Sequence, residues 1–181
     1  MVDPQKSSPK SEKEQQLVYN GRIVNLYIKH IQLPSGSTVK HEVIEHSGAV
    51  AIIPFIDDQR VMLIRQYRPA IGKYLLEIPA GTLEPHENPD DAAIRELREE
   101  IGYRANELIH IGGIYVAPGY STEFIHLYIA KQLVYDPLKA DTDELIEAIP
   151  MSISEALIAI SKGDIQDAKS VVGLLRAYQH K

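Results

Sequence analysis

Cysteine is absent from all 181 residues, which excludes disulfides and thiolate metal sites at once. No apolar run approaches the roughly 18–20 residues that a bilayer-spanning helix needs. Positive charge is not in excess either. Lys and Arg total 19 against 25 Asp and Glu, a net charge of −6, whereas a protein whose main partner is nucleic acid needs a basic surface. A small phosphorylated ligand stays compatible, because a few arginines or a bound cation reverse the field locally. The first residues have no apolar stretch of the signal-peptide kind. Met1–Gln16 is polar, rich in Lys, Ser, Pro, Glu and Gln, and reads as a disordered leader on a cytoplasmic protein. The remainder is ordinary domain material, 44% hydrophobic and 24% charged, and long enough to bury its own core.

Two strands are predicted at Ile23–Leu33 and Thr38–His46, joined by the turn chemistry of Pro34-Ser35-Gly36-Ser37. Ala49–Ile56 and Val61–Arg65 are apolar on both faces and suit buried central strands. Tyr74–Ile78 is a further strand, ending at Pro79. A helix follows with marked ends: Asn88 as cap, Pro89 in the first turn, Asp90 and Asp91 at the positive pole, Gly102 as terminator. Ala93, Leu97 and Ile101 form its buried stripe. Strands at Leu108–Val116 and Glu123–Leu133 flank Pro118-Gly119. Ser152 and Glu155 have capping-box spacing for a helix that stops by Gly163. A last helix from about Gln166 to Gln179 is expected to bury Val171, Leu174, Leu175 and Tyr178. The order implies an α/β (α+β) fold with a mixed sheet between helical layers. An antiparallel ribbon at 17–46 would precede a domain at 47–181.

The first helix has an unusual polar face. Glu96, Glu99 and Glu100 stand three and four residues apart, so their side chains share one side, and like charges there cost a few tenths of a kcal/mol per pair. A hard divalent cation turns that cost into binding, since Mg²⁺ takes oxygen ligands and keeps waters and substrate phosphates in its shell. Taken alone, Arg95-Glu96-Leu97-Arg98-Glu99-Glu100 also reads as a solvated face with an Arg95–Glu99 pair. The flanking residues decide between the two. Gly81, Glu87, Arg95, Glu96, Leu97, Glu99, Glu100, Gly102 and Tyr103 spell G-x5-E-x7-R-E-U-x-E-E-x-G-U, with U a bulky apolar residue. Chance would produce the seven fixed letters with probability on the order of 10⁻⁶.

This segment, 81–103, resembles the Nudix box, with Tyr103 at a position usually aliphatic. The resemblance implies an α/β/α sandwich and the hydrolysis of a nucleoside diphosphate linked to another group. It implies Mg²⁺, with Mn²⁺ as a substitute, held by Glu96, Glu99 and Glu100 with the carbonyl of Ala80. Glu99 thereby counts among the catalytic residues. Glu87 would orient Arg95, while Gly81 and Gly102 would serve backbone geometry.

Substrate class follows from other segments. Pro118 stands fifteen residues after Tyr103, as in ADP-ribose pyrophosphatases, although Pro-Gly is also an ordinary turn. Arg65-Gln66-Tyr67-Arg68 before Glu77-Ile78-Pro79-Ala80-Gly81 looks like the same subfamily. Arg68 is the expected phosphate ligand, because a guanidinium matches two phosphate oxygens. Arg22 and Ile23 resemble the segment that frames adenine, supplied in that subfamily by the partner of a homodimer with exchanged N-terminal strands. Glu42 would add a base contact, Glu84 would position substrate and Glu123 would touch the terminal ribose. Glu144, in Asp141-Thr142-Asp143-Glu144, is the expected catalytic base, with a solvated acidic loop as the rival reading. Gly163–Ser170 also looks like enzymes that cleave GDP-mannose. ADP-ribose is therefore the leading substrate among nucleoside diphosphate sugars. A non-hydrolysing sensor, the rival of another class, would more often show a broken box. Neither nucleic acid nor membrane is an expected partner.

Overall fold

The computed structural model describes residues 12–139 and 145–180. Contacts divide the chain into two compact units, a smaller one of 1–47 with 117–123, and a larger one of 48–116 with 124–181.

In the smaller unit β1 (Glu12–Asn20), β2 (Val24–Gln32) and β3 (Thr38–His46) form an antiparallel meander in that order. The β1–β2 turn closes with the Gly21 amide on the Val24 carbonyl at 3.0 Å. The β2–β3 turn closes with Leu33 N–H on Ser37 O at 2.8 Å, Gly36 supplying a φ of 88° that other residues resist. The 117–123 segment is laced to β3: the Ile44 amide donates to Tyr120 O at 2.7 Å, and the His46 amide to Thr122 Oγ1 at 3.0 Å. β1 starts at Glu12, inside the stretch expected to be a disordered leader, so that expectation is corrected for Glu12–Gln16. A ladder is made by backbone groups, and an edge strand needs no apolar face to pair. Composition alone therefore misses it.

The larger unit holds β4 (Ala49–Pro54), β5 (Arg60–Arg68), β6 (Lys73–Glu77), β7 (Ala80–Thr82), α1 (Pro89–Glu100), β8 (Tyr103–Tyr115), β9 (Phe124–Tyr135), β10 (Ile146–Ser152), α2 (Ile153–Lys162) and α3 (Ala168–Gln179). One sheet runs β7-β4-β9-β8, with β4 and β9 parallel and the other pairs antiparallel. A second runs β10-β5-β6, antiparallel throughout. The fold is mixed α+β with a mixed sheet, as the element order implied. Two further strands do not read from sequence: β7 has only three residues, and β10 lacks a clean two-residue alternation and contains Pro150.

Alternation along β4 builds the layers. Val50 and Ile52 face a cluster with Ala92, Ala93 and Leu97 of α1. Ala51 and Ile53 face the opposite cluster, with Ile153 and Ala156 of α2 and Leu174 and Ala177 of α3. β9 divides the same way, Tyr128 and Ala130 toward α1, Ile125, Leu127 and Ile129 toward α2 and α3. All six residues of β4 are buried, which explains its unbroken apolar run. Among the described residues no helix is long and apolar enough to cross a membrane.

The helix ends follow their capping chemistry. Asn88 accepts from the Asp90 amide, the Ser152–Glu155 capping box is complete, and Gly163 ends α2 with a φ of 80°. The stripe on α3 differs from expectation. Ser170, Gly173, Leu174 and Ala177 are buried, Val171 is partly buried, and Leu175 and Tyr178 are exposed. Small residues win that face because the helix lies close on the sheet: a Cβ at Gly173 would sit 2.9 Å from Ile78 Cδ1 and 3.2 Å from Ile53 Cδ1. Gly173→Val should therefore lower the free energy of unfolding by about 1–3 kcal/mol, the usual cost of overpacking. Urea unfolding measures it, and an unchanged midpoint would contradict this packing.

Candidate active site

The site grows from the place where β7 meets α1. β7 is a three-residue strand held against β4 through the pairs Ala49–Thr82, Val50–Gly81 and Ala51–Ala80. Ahead of it, the Ile52 amide donates to Pro79 O at 2.8 Å. The apolar stripe of α1 packs on the sheet, and the adjoining face brings Glu96 and Glu100 down to β7. Glu100 Oε2 accepts from the Ala80 amide at 2.9 Å. Glu96 is buried, and its carboxylate fills the space beside Gly81 where any Cβ would overlap it. Glycine is required here for close approach, since its φ is not in the left-handed region.

A buried carboxylate needs a partner, and Arg95 supplies it. Nη1 of Arg95 donates to Glu96 Oε1 at 2.6 Å and to Glu99 Oε2 at 2.9 Å. Its Nε and Nη2 grip both oxygens of Glu87 at 2.8 and 2.9 Å, and Nη2 reaches Thr82 O at 3.3 Å. Hydrogen bonds from Arg95 hold the Glu87 carboxyl below its ordinary range. Glu87 also accepts from the Glu84 amide at 2.9 Å, so one guanidinium ties the loop ahead of the helix to the helix and to β7. Gly102 ends the segment with a φ of 77°.

A second charged group flanks β7. Glu77, at the end of β6, is 1% exposed. Arg68 grips it through Nε at 2.8 Å and Nη2 at 2.6 Å, and Lys169 Nζ contacts the same carboxylate. Burial alone would raise the Glu77 carboxyl; the hydrogen bonds and charges of Arg68 and Lys169 outweigh it and leave it lowered. The edge of Arg68 expected to meet phosphate thus lies on Glu77, leaving Nη1 for other partners. Neither Glu77 nor Lys169 stands out in the sequence as a site residue. The available signal is a lone Glu within Leu75-Leu76-Glu77-Ile78, because a carboxylate in a buried strand demands a cation. Arg68 is nine residues away, but the second cation, Lys169, is 92 residues away, beyond any spacing rule.

The larger unit therefore brings together Arg68, Ala80, Gly81, Glu84, Glu87, Arg95, Glu96, Glu99 and Glu100 around β7 and α1. The other expected residues lie in the smaller unit. Arg22 and Ile23 are exposed in the β1–β2 connection, Glu42 is exposed on β3 opposite Ile28, and Pro118 is exposed. Glu123 is partly buried, its amide donating to Ser121 Oγ at 3.2 Å. Glu144 lies outside the described residues.

The donor set suits a hard cation. Four carboxylates stand against one arginine, all the donors are oxygen, and Gly81 leaves room for one of them at the strand. As arranged here, Arg95 takes two of the helix carboxylates, and among the described residues no three acidic or imidazole groups gather into a cage for an ion.

Comparison with known proteins places this geometry. The family model of the NUDIX domain matches residues 45–172. The chain is 33% identical over 159 residues to an ADP-ribose pyrophosphatase of Bacillus subtilis, covering 87% of this chain and 86% of that one. It is 37% identical to a methanol dehydrogenase activator of Bacillus methanolicus, over 91% of this chain and 92% of the other. A solved structure of an ADP compounds hydrolase superposes with a TM-score of 0.84 at 25% identity, covering 96% of this chain and 94% of that one. Nudix hydrolases generally use divalent metals. With a family match across most of its length and relatives spanning nearly all of theirs, the chain belongs to the NUDIX hydrolase family.

Proposed function

We propose that this hydrolase cleaves the pyrophosphate bond of a nucleoside diphosphate sugar, with ADP-ribose the leading substrate and Mg²⁺ the working ion. The observation that carries the reading is the descent of Glu96 and Glu100 onto Ala80 and Gly81. It sets an intact box against a strand whose backbone can share the load. Water adds across the P–O–P bridge, giving AMP and ribose 5-phosphate from ADP-ribose, or GMP and mannose 1-phosphate from GDP-mannose. The relatives named as ADP-ribose pyrophosphatase and ADP compounds hydrolase support the first pair of products.

Glu96, Glu99 and Glu100, with the Ala80 carbonyl, would hold the ion, and Mn²⁺ would substitute. When bound, that ion neutralises the diphosphate and acidifies water. The chain's own groups do the rest. Glu87 keeps Arg95 between the helix and β7. Arg68 turns its remaining donors toward phosphate oxygen, and Glu84 positions the substrate. Glu144 would take the proton of the attacking water. Arg22, Ile23, Glu42 and Glu123 would contact base and sugar, with Pro118 shaping the segment that carries Glu123. A homodimer that exchanges its N-terminal strands would bring two copies of these residues into use. The exposed Leu17, Val18, Tyr19 and Ile23 support that assembly. The cytoplasm is the proposed compartment.

The 37% identical relative supports a second reading, in which the chain acts on a dehydrogenase partner. Adding it to a methanol dehydrogenase assay decides this, since an unchanged rate removes the partner. The primary test is a hydrolysis panel of ADP-ribose, GDP-mannose, ADP-glucose and a nucleoside triphosphate with Mg²⁺, the products identified. Fastest release of AMP from ADP-ribose is expected. Tight binding without turnover would make the chain a sensor instead.

Two substitutions probe the box. Glu100→Gln should lower kcat/KM by about 100-fold, roughly 2.7 kcal/mol, with a melting temperature close to wild type. Near-normal turnover at saturating Mg²⁺ would remove Glu100 from the ligand set. Gly81→Ala should displace the Glu96 carboxylate and weaken Mn²⁺ binding, read by titration calorimetry. Unchanged affinity would show that the space beside Gly81 is irrelevant to the ion.

A further inference from the structure

Four polar side chains at the start of α3 and the end of β6 form a continuous chain of contacts outside the box. The Ile78 amide donates to Ser170 Oγ at 2.9 Å, and Ser170 Oγ donates in turn to Asp167 Oδ2. Asp167 caps α3 and lies 3.0 Å from Lys169 Nζ. Lys169 reaches Glu77, and Glu77 holds Arg68 by two hydrogen bonds. Lys169 and Ser170 are buried, 8% and 0% exposed, and Glu77 is 1% exposed.

The arrangement exceeds what neutralising Glu77 requires. A bidentate arginine already answers both oxygens of a carboxylate, and burying a second ammonium costs several kcal/mol before pairing. Asp167 balances Lys169 from the α3 side and Glu77 balances Arg68, so the four groups sum to zero and what the extra contact adds is a fixed geometry for Arg68. The guanidinium of Arg68 is partly exposed and feels Glu100 of the box. Its Nη1 donates no hydrogen bond to any described residue, and the carboxylate that holds the guanidinium belongs to Glu77, directly before the Ile78 amide that Ser170 tethers.

We propose that Lys169 is a positioning residue for substrate binding: by holding Glu77 from the α3 side, it fixes Arg68 with Nη1 presented to the diphosphate. The assignment rests on the proposed substrate class, and Lys169 itself touches no substrate. The gain is preorganisation, since a guanidinium locked at one edge loses little freedom when the other edge meets an anion.

The test measures the affinity of full-length protein for α,β-methylene ADP-ribose, which cannot be hydrolysed at the bridge, by calorimetry, alongside steady-state kinetics with ADP-ribose. Lys169→Met should raise Kd and KM about tenfold while kcat changes less than about threefold. Arg68→Ala should do the same, and the double variant should be no worse than either, because both act through one contact chain. A folded Lys169→Met with wild-type Kd overturns the proposal, as does strict additivity with Arg68→Ala. A merely structural lysine would lower the melting temperature and leave Kd in place. If Lys169→Met does not fold, Glu77→Gln, which keeps the shape, takes its role: raised Kd supports the proposal and unchanged Kd ends it. Wild-type protein that neither binds the analogue nor cleaves any nucleoside diphosphate sugar removes the substrate class, and the role of Lys169 with it. That result differs from wild-type binding with an indifferent variant.

Discussion

One guanidinium governs the box. Arg95 donates to Glu87, Glu96, Glu99 and the Thr82 carbonyl, and each bond settles a different problem. The contact with Glu96 makes a buried carboxylate tolerable. The contact with Glu87 anchors the loop ahead of the helix. The contact with Thr82 joins helix to strand. Remove the positive charge and three carboxylates of one helix repel one another beside β7. The same arithmetic explains why an acidic face that gains nothing in isolation is kept in a working protein. On the proposed function, a divalent ion with twice the charge of the guanidinium would take the same oxygens.

Much of this could be read from residues alone, and the reason is local. Asn88, Pro89, Asp90 and Gly102 mark the ends of α1 through the first and last turns, where capping depends on neighbours a few positions away. The box letters are likewise local, so their convergence on one helix face follows from 3.6 residues per turn. Ser152 and Glu155 behaved in the same way. Where the structure departs from expectation, a distant partner is responsible. Glu12–Gln16 became a strand because β2 offered backbone groups, which composition does not record. Leu175 and Tyr178 were expected in the core, but the close approach of α3 to Ile53 and Ile78 selects Ser170, Gly173 and Ala177 instead.

The candidate site shows the same division. Glu96, Glu99, Glu100, Arg95 and Glu87 were legible because one helix and its leading loop carry them all. Glu77 and Lys169 were not, since a buried ion pair across 92 residues leaves no periodic trace. Arg68 stands out for its charge, yet the group that grips it is a neighbouring strand's carboxylate. A short motif identifies the chemistry far better than the molecule it acts on, because the residues that select a substrate lie outside it.

The tether between Ile78 and Ser170 has a bearing on biosynthesis. The strand that leads into the box leaves the ribosome 92 residues before the hydroxyl that receives its amide. At about 5–20 residues per second that interval is roughly 5–18 s. During it the nascent polypeptide can form α1 and pair Pro79 and Ala80 with β4, but the Ile78 amide lacks the hydroxyl that receives it. The brace from Ser170 can therefore form only after translation has passed residue 170.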